Sequence, residues 1–172
     1  MVRPTKLKSQ YNAQKGIERS KKEEQEYGPG KKDIIICENC EAVYYYKSWH
    51  HKLRDYKHLN EDKAVNFTLC PACQMIKDKT FEGQVVFLNI PEKYIEEIIR
   101  NIKNTGERAY KRDPLDRIIS IKKTGDRVEV LTTENQLARN IARQVTRAHK
   151  NFQSDISWSK NESVARIVVK FQ

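Results

Sequence analysis

Hydrophobic and polar positions follow two regular periods in the second half of the chain, from Gly83 onward. After Pro91, isoleucines recur at 3.6-residue spacing and predict a helix that ends near Gly106. The capping-box sequence at 133–136 predicts the start of a second helix, which should run to about Lys150. Short apolar runs between turn residues predict strands at 84–88, 117–122, 127–132, 155–159 and 164–171.

These elements follow one another in the order βαββαβ, with one extra strand. That order predicts a ferredoxin-like domain, in which two helices cover one face of an antiparallel sheet. We therefore predict an α+β chain with three parts. They are a flexible basic arm at 1–33, a four-cysteine zinc-ribbon module at 34–82 and a ferredoxin-like domain at 83–172. The arm has few aliphatic residues, so burial cannot offset the entropy lost on ordering, and we expect disorder there.

The second predicted helix has two opposite stripes. Its apolar stripe contains Leu137, Ile141, Val145 and Ala148, and should pack on the sheet. Its basic stripe contains Arg139, Arg143, Arg147 and Lys150. No acidic residue occurs at 135–154, so the helix itself supplies no neutralising partner. We predict that this stripe binds phosphates; the alternative is an ordinary solvated surface.

Composition supports a polyanionic partner. The 172 residues include 33 Lys and Arg against 23 Asp and Glu, which gives a net charge of +10. Residues 1–33 carry +4 and residues 77–172 carry +6, whereas the segment between them is neutral. The mean hydropathy is −0.82, and no apolar run approaches the ~20 residues that a membrane helix needs. We expect a cytoplasmic protein without a secretion signal or a membrane partner.

All four cysteines belong to two C-x-x-C pairs, Cys37 with Cys40 and Cys70 with Cys73, separated by 29 residues. Two such pairs can complete a tetrahedral four-thiolate zinc site, so we predict one structural Zn²⁺. A redox dithiol or a pair of disulfides fits less well, because a redox site needs only one pair and disulfides are typical of secreted proteins.

A four-thiolate site leaves no open position for activated water, so the zinc is not expected to be catalytic. His50, His51 and His58 lie in the spacer and are alternative ligands. The chain has no Gly-rich phosphate loop and no recognisable catalytic triad. We therefore predict a protein that is not an enzyme and that takes no small-molecule substrate.

Aromatic residues alternate with cations in the spacer, a pattern typical of surfaces that stack on bases and bind phosphates. We predict RNA contacts at Trp49, Lys52 and Arg54, and in the arm at Lys6, Lys8, Lys21, Lys22, Lys31 and Lys32. The alternative is that rings such as Tyr44 and Tyr46 form a small core around the zinc. The outward sheet positions, Glu129 and Arg166 among them, include no aromatic platform, which favours recognition of RNA backbone and shape.

The sequences Ile36-Cys37-Glu38-Asn39-Cys40-Glu41-Ala42-Val43-Tyr44 and Leu69-Cys70-Pro71-Ala72-Cys73 resemble a family of small bacterial zinc-ribbon proteins. So do Asp116-Arg117-Ile118-Ile119-Ser120-Ile121 and Thr132-Thr133-Glu134-Asn135-Gln136-Leu137-Ala138-Arg139. More loosely, the chain is similar over 34–150 to the zinc-bearing part of the eukaryotic and archaeal adaptor for large ribosomal subunit export. The resemblance implies zinc bound by the four cysteines and association with the ribosome or its RNA. This chain is shorter than the adaptor. It has one pair of C-x-x-C sequences, here called knuckles, where the adaptor has a larger set.

The leading hypothesis is an accessory factor for ribosome assembly, quality control or hibernation. Its partners would be ribosomal RNA or a ribosomal subunit, with ribosomal proteins as further contacts. The second hypothesis is a zinc-dependent DNA-binding transcriptional regulator, since Asn140 and Gln144 flank the basic stripe and could reach base edges.

Overall fold

The computed structural model describes residues 12–13, 34–45, 47–51, 65–149, 151–158 and 164–172, with the backbone alone at 12–13 and 153–158. The first half contains β1 Asn12–Ala13, β2 Ile34–Cys37, β3 Val43–Tyr45, β4 Ser48–His50, β5 Val65–Thr68, α1 Pro71–Lys77 and β6 Thr80–Phe81. The second half contains β7 Gly83–Leu88, α2 Glu92–Arg112, β8 Ile118–Thr124, β9 Arg127–Thr132, α3 Asn135–Ala148, β10 Phe152–Trp158 and β11 Ala165–Phe171. The predicted α+β class is confirmed.

The first half is built on a four-stranded sheet in the order β4-β3-β2-β5. Strands β2, β3 and β4 pair antiparallel, as expected for short strands joined by tight turns. Strand β5 instead pairs parallel with β2, from Ile34 opposite Val65 to Cys37 opposite Thr68. Parallel strands end at the same edge, so the chain leaves β2 and β5 in the same direction.

The second half contains a five-stranded sheet in the order β10-β11-β7-β9-β8. Strand β9 lies between β7 and β8, which is the split arrangement expected from the sequence. The extra strand, β11, lies between β10 and β7 and runs parallel to β7. The sheet is therefore not wholly antiparallel, because β10 and β11 form a hairpin whose second strand occupies the position beside β7.

Helices α2 and α3 share one core with the sheet. It includes Ile98 and Ile102 of α2, Ile141 and Val145 of α3, and Val85 of β7, none of them measurably exposed. The isoleucine stripe and, on α3, Leu137, Ile141 and Val145 are thus buried as their periods predict, whereas Ala148 at the end of α3 is exposed. No helix in the described part of the chain is both long and apolar enough to span a bilayer.

Gly106 does not end α2, which continues to Arg112. A Cβ atom at this position would lie only 2.8 Å from Cγ1 of Ile118 on β8. The glycine therefore lets the helix approach the sheet closely, and the prediction that it terminates the helix is wrong.

Thr133 is not the N-cap of α3, because Glu134 occupies that position without a side-chain cap. The Thr133 hydroxyl instead donates to the Leu115 carbonyl and accepts a hydrogen bond of 2.9 Å from the Arg117 amide. The backbone amide of Thr133 donates to the Arg117 carbonyl at 3.0 Å. The threonine therefore fixes the connection that leads from α2 into β8.

Two residues of the predicted arm form a strand. Asn12 and Ala13 pair in parallel with Thr80 and Phe81 of β6. This pairing places these two residues beside the short strand that follows α1.

We predict that Gly106→Ala destabilises the protein. The new methyl group would overlap Ile118, at a cost of about 1–3 kcal/mol, which outweighs the gain of about 1 kcal/mol in helix propensity. Chemical denaturation should show a lower free energy of unfolding. Asn104→Ala, an exposed change on the same helix, is the matched control and should not destabilise. The loss should shrink in an Ile118→Val background, and an equal loss in both backgrounds would contradict the overlap.

Candidate metal centre and nucleic-acid interface

The parallel pair β2 and β5 brings the two C-x-x-C sequences together. Cys37 is the last residue of β2, and Cys70 follows two residues after Thr68, the last residue of β5. The amide of Glu38 donates to the Thr68 carbonyl at 3.1 Å and extends the pairing beyond the strands. Both cysteine pairs therefore begin at the same edge of the sheet, whatever the length of the chain between them.

The first pair lies in a tight turn between β2 and β3. The Cys37 amide donates to the Ala42 carbonyl at 2.7 Å, and the Glu41 amide donates to the Cys37 carbonyl at 3.0 Å. Glu41 adopts a left-handed conformation with φ of 61°, which costs a non-glycine residue about 1–2 kcal/mol. This conformation reverses the chain and directs both cysteines of the pair toward the same side.

The second pair lies at the start of α1 and not in a hairpin. Cys70 is the N-cap, and its Sγ accepts a hydrogen bond of 3.4 Å from the Cys73 amide. Pro71 occupies the first helical turn, where its fixed φ is favourable and its missing amide hydrogen is not needed. The module therefore combines one hairpin knuckle with one helical knuckle.

The four sulfur atoms can hold one metal ion. They all lie within 4.8 Å of one another, and Sγ of Cys40 is 3.6 Å from Sγ of Cys70. Four thiolates at ~2.3 Å from a central zinc would be about 3.8 Å apart, so sulfur atoms at these separations leave room for one such ion. The separation is far longer than the ~2.05 Å of a disulfide bond, and all four cysteines are free.

The site is largely shielded from water. Cys37, Cys70 and Cys73 are buried, and Cys40 is half-buried. The Cys70 amide donates to Sγ of Cys37 at 3.2 Å. Sγ of Cys73 accepts two side-chain hydrogen bonds, from Nδ2 of Asn39 at 3.3 Å and from Nη1 of Arg117 at 3.2 Å. Hydrogen bonds to the sulfur atoms are the kind of outer contact found around metal centres.

Burial and hydrogen bonding act on the thiols in opposite directions. Burial alone would raise the pKa of Cys37, but amide donors, that of Cys70 foremost, lower this pKa to about 7. Burial raises the pKa of Cys40 to about 11 and raises the pKa of Cys70 further. Burial would lower the pKa of Arg117, yet the nearby thiolates of Cys73 and Cys40 raise it above its ordinary value. Without a metal, the cluster therefore keeps protons at neutral pH.

The two described histidines of the spacer have other partners. Nε2 of His50 lies 2.9 Å from the Ser48 hydroxyl and 3.2 Å from the Tyr45 carbonyl. Nε2 of His51 is hydrogen-bonded to the carbonyl of Tyr110, whose ring it meets edge-on. Neither belongs to the cysteine cluster. His58 lies outside the described residues.

Trp49 is a core residue, so its predicted role as an RNA contact is wrong. Its side chain is only 5% exposed and packs against Tyr44, with ring centroids 5.5 Å apart. Both rings belong to the buried cluster that surrounds the cysteines and that also includes Leu115 from the second half. Among the described aromatic rings of this region, that of Phe67 on β5 is exposed, at 64%.

Helix α3 presents part of the predicted basic stripe to solvent. Arg143 and Arg147 are exposed, and Arg139 is half-buried. In the described part of the chain, neither exposed arginine forms an ion pair. The remaining predicted contacts lie outside the described residues: Lys6, Lys8, Lys21, Lys22, Lys31, Lys32, Lys52, Arg54 and Lys150.

Arg117 was not predicted as part of the site. It follows Asp116 before β8 and contacts a cysteine 44 positions earlier in the chain, so no local pattern marks it. Asn39 was visible between the first two cysteines, but only the folded chain shows that its amide contacts the second pair.

Scans against protein-family models, curated proteins and solved structures found no match to this chain.

We predict that metal affinity rises steeply with pH. Cys40 and Cys70 hold protons throughout pH 6–8.5, because the pKa of Cys40 is about 11 and that of Cys70 is raised further. A bound metal must displace these protons. Competitive Zn²⁺ titrations should give one ion per chain and a logarithm of affinity that increases by at least about two per pH unit. A slope of about one or less would show that these thiols are not both ligands.

Proposed function

We propose that this chain is a non-enzymatic, zinc-containing accessory factor that binds structured RNA, and in particular ribosomal RNA. The observation that carries the proposal is the exposed, acid-free face of α3. Its opposite face is buried through Leu137, Ile141 and Val145, so the helix is held along the sheet with its cations outward. Fixed cations on a rigid helix bind phosphates with little loss of conformational entropy.

Zinc is the metal that we propose for the centre. Thiolate ligands suit Zn²⁺, and a set of four of them is typical of structural sites. A closed set of four ligands leaves no position for substrate or activated water, which supports a role in folding. Elemental analysis of the purified protein would identify the metal directly.

Recognition of RNA backbone and shape is supported by the sheet face opposite the helices. There Nε2 of Gln84 donates to Glu129, and Oε1 of Gln84 accepts a hydrogen bond of 3.0 Å from Arg166. These three polar residues join strands β9, β7 and β11 where RNA-recognition motifs present stacking aromatics. A DNA-reading role is less well supported, because α3 lies along the sheet and Asn140 and Gln144 are half-buried.

Within this proposal, the factor acts on ribosomes in assembly, quality control or hibernation. Co-sedimentation with ribosomal subunits over a salt series tests it. We expect association at low salt that falls as salt rises, since phosphate contacts release counterions. Absence from every ribosomal fraction at low salt would overturn the proposal. Stronger binding to random duplex DNA than to ribosomal RNA at matched salt would favour the regulator.

We predict that Arg143→Gln combined with Arg147→Gln weakens RNA binding and flattens its salt dependence. Loss of two phosphate contacts should reduce the slope of log affinity against log salt by about 1.4 for single strands or about 1.8 for duplex. Arg100→Gln combined with Lys103→Gln is the matched control, since it removes two exposed cations from α2. Equal slopes in the two double variants would show that the α3 face has no special role.

In this proposal Phe67, in place of Trp49, stacks on RNA bases. We predict that Phe67→Ala weakens binding of RNA with unpaired bases by about 1–3 kcal/mol and leaves stability nearly unchanged. Trp49→Ala should instead lower the free energy of unfolding by about 3–5 kcal/mol, because its ring is buried. Val65→Ala, on the same exposed strand, is the control. Unchanged RNA affinity in Phe67→Ala, measured by fluorescence anisotropy, would remove Phe67 from the interface.

A further inference from the structure

Arg117 reaches the cysteine cluster from the second half of the chain. Its Nη1 donates a hydrogen bond of 3.2 Å to Sγ of Cys73, which lies 44 positions earlier. We infer that Arg117 belongs to the metal centre as its counter-charge, and that it strengthens retention of the bound metal. This inference concerns the metal alone and does not depend on RNA binding.

The position of Arg117 is set by residues that do not ligate the metal. Its backbone amide donates to the Thr133 hydroxyl at 2.9 Å, and its carbonyl accepts from the Thr133 amide at 3.0 Å. Its guanidinium carbon lies 5.0 Å from the centroid of the Tyr110 ring, within the range of a cation–π contact. The guanidinium is thus aimed at the sulfur by contacts with residues other than the four cysteines.

Charge explains why a cation is needed there. Four thiolates and one divalent ion carry a net charge of −2, which is costly to bury. Sγ of Cys73 is buried and accepts hydrogen bonds from both Arg117 and the neutral amide of Asn39. Of these two donors, only Arg117 offsets the negative charge. A charge-assisted hydrogen bond to a ligand sulfur is the kind of outer contact that tunes metal affinity.

The same contact joins the two halves of the chain. Leu115, two residues before Arg117, is buried in the cluster that contains Cys37, Cys70 and Cys73. The connection between α2 and β8 therefore supplies both an apolar contact and a charge to the metal site. Metal retention then depends on the second half of the chain, and not on the cysteine module alone.

The test compares Arg117→Gln with Arg117→Lys in the full-length protein. Zn²⁺ affinity, measured by competition with a chromophoric chelator, should fall about 10- to 100-fold in Arg117→Gln. Arg117→Lys keeps the charge and should recover part of that loss. Arg127→Gln is the matched control, since it removes a half-buried arginine from the start of β9, and it should stay within about twofold of the parent protein.

A second readout separates this role from simple structural support. With Co²⁺ as the probe, removal of a hydrogen bond to a ligand sulfur should shift the thiolate-to-cobalt charge-transfer band in Arg117→Gln but not in Arg127→Gln. A purely structural residue would lower stability without moving that band. If Arg117→Gln fails to fold, the band of Arg117→Lys is compared with that of Arg127→Gln instead. A shifted band supports the inference, and an unshifted band overturns it. Zn²⁺ affinity and a Co²⁺ spectrum equal to those of the control would overturn the inference.

Discussion

Four sulfur atoms converge where β2 and β5 end side by side, and the cysteine module depends on what holds them there. Without a metal, burial of closely spaced thiols opposes their ionisation, as the raised pKa values of Cys40 and Cys70 show. The surrounding apolar cluster is small and is completed by Leu115 from the second half. In the proposed zinc form, the metal would contribute an apparent ~10–16 kcal/mol toward folding. That exceeds what so few buried side chains could supply.

Cations serve two different purposes in this molecule. Arg143 and Arg147 are exposed on a helix that carries no acidic residue, so their charge acts on whatever approaches from solution. Arg117 is directed inward to a ligand sulfur and acts within the fold. Its planar guanidinium can donate to Cys73 while lying over the Tyr110 ring, a combination that the compact ammonium of lysine does not offer. The net charge of +10 therefore includes cations that face solvent and a cation that is directed into the fold.

Local sequence patterns predicted most of the elements and the four cysteines that form the cluster, because cysteine spacing and hydrophobic period depend on nearby residues. They were wrong wherever a distant contact decided the outcome. The sequence predicts that Gly106 ends a helix, but the glycine lies where the helix contacts Ile118. The sequence also predicts that Thr133 caps α3, but its hydroxyl is hydrogen-bonded to the connection before β8. Trp49 is an aromatic residue among cations, as expected of an RNA contact, but packing against Tyr44 buries it. No pattern in the sequence of β11 indicates that this strand lies beside β7.

The parallel register of β2 and β5 has a consequence for how such modules diverge in evolution. Both knuckles start from fixed points on one sheet edge, and of the 29 residues between them the segment that joins β4 to β5 lies outside the strands β3, β4 and β5 and the turns between β2, β3 and β4. Doubling the length of a flexible connection costs only about 0.6 kcal/mol in closure entropy. Insertions and deletions between β4 and β5 are therefore compatible with an unchanged centre. Related chains should share the two knuckles and an arginine just before the strand that corresponds to β8, whereas the number of residues between the knuckles can vary.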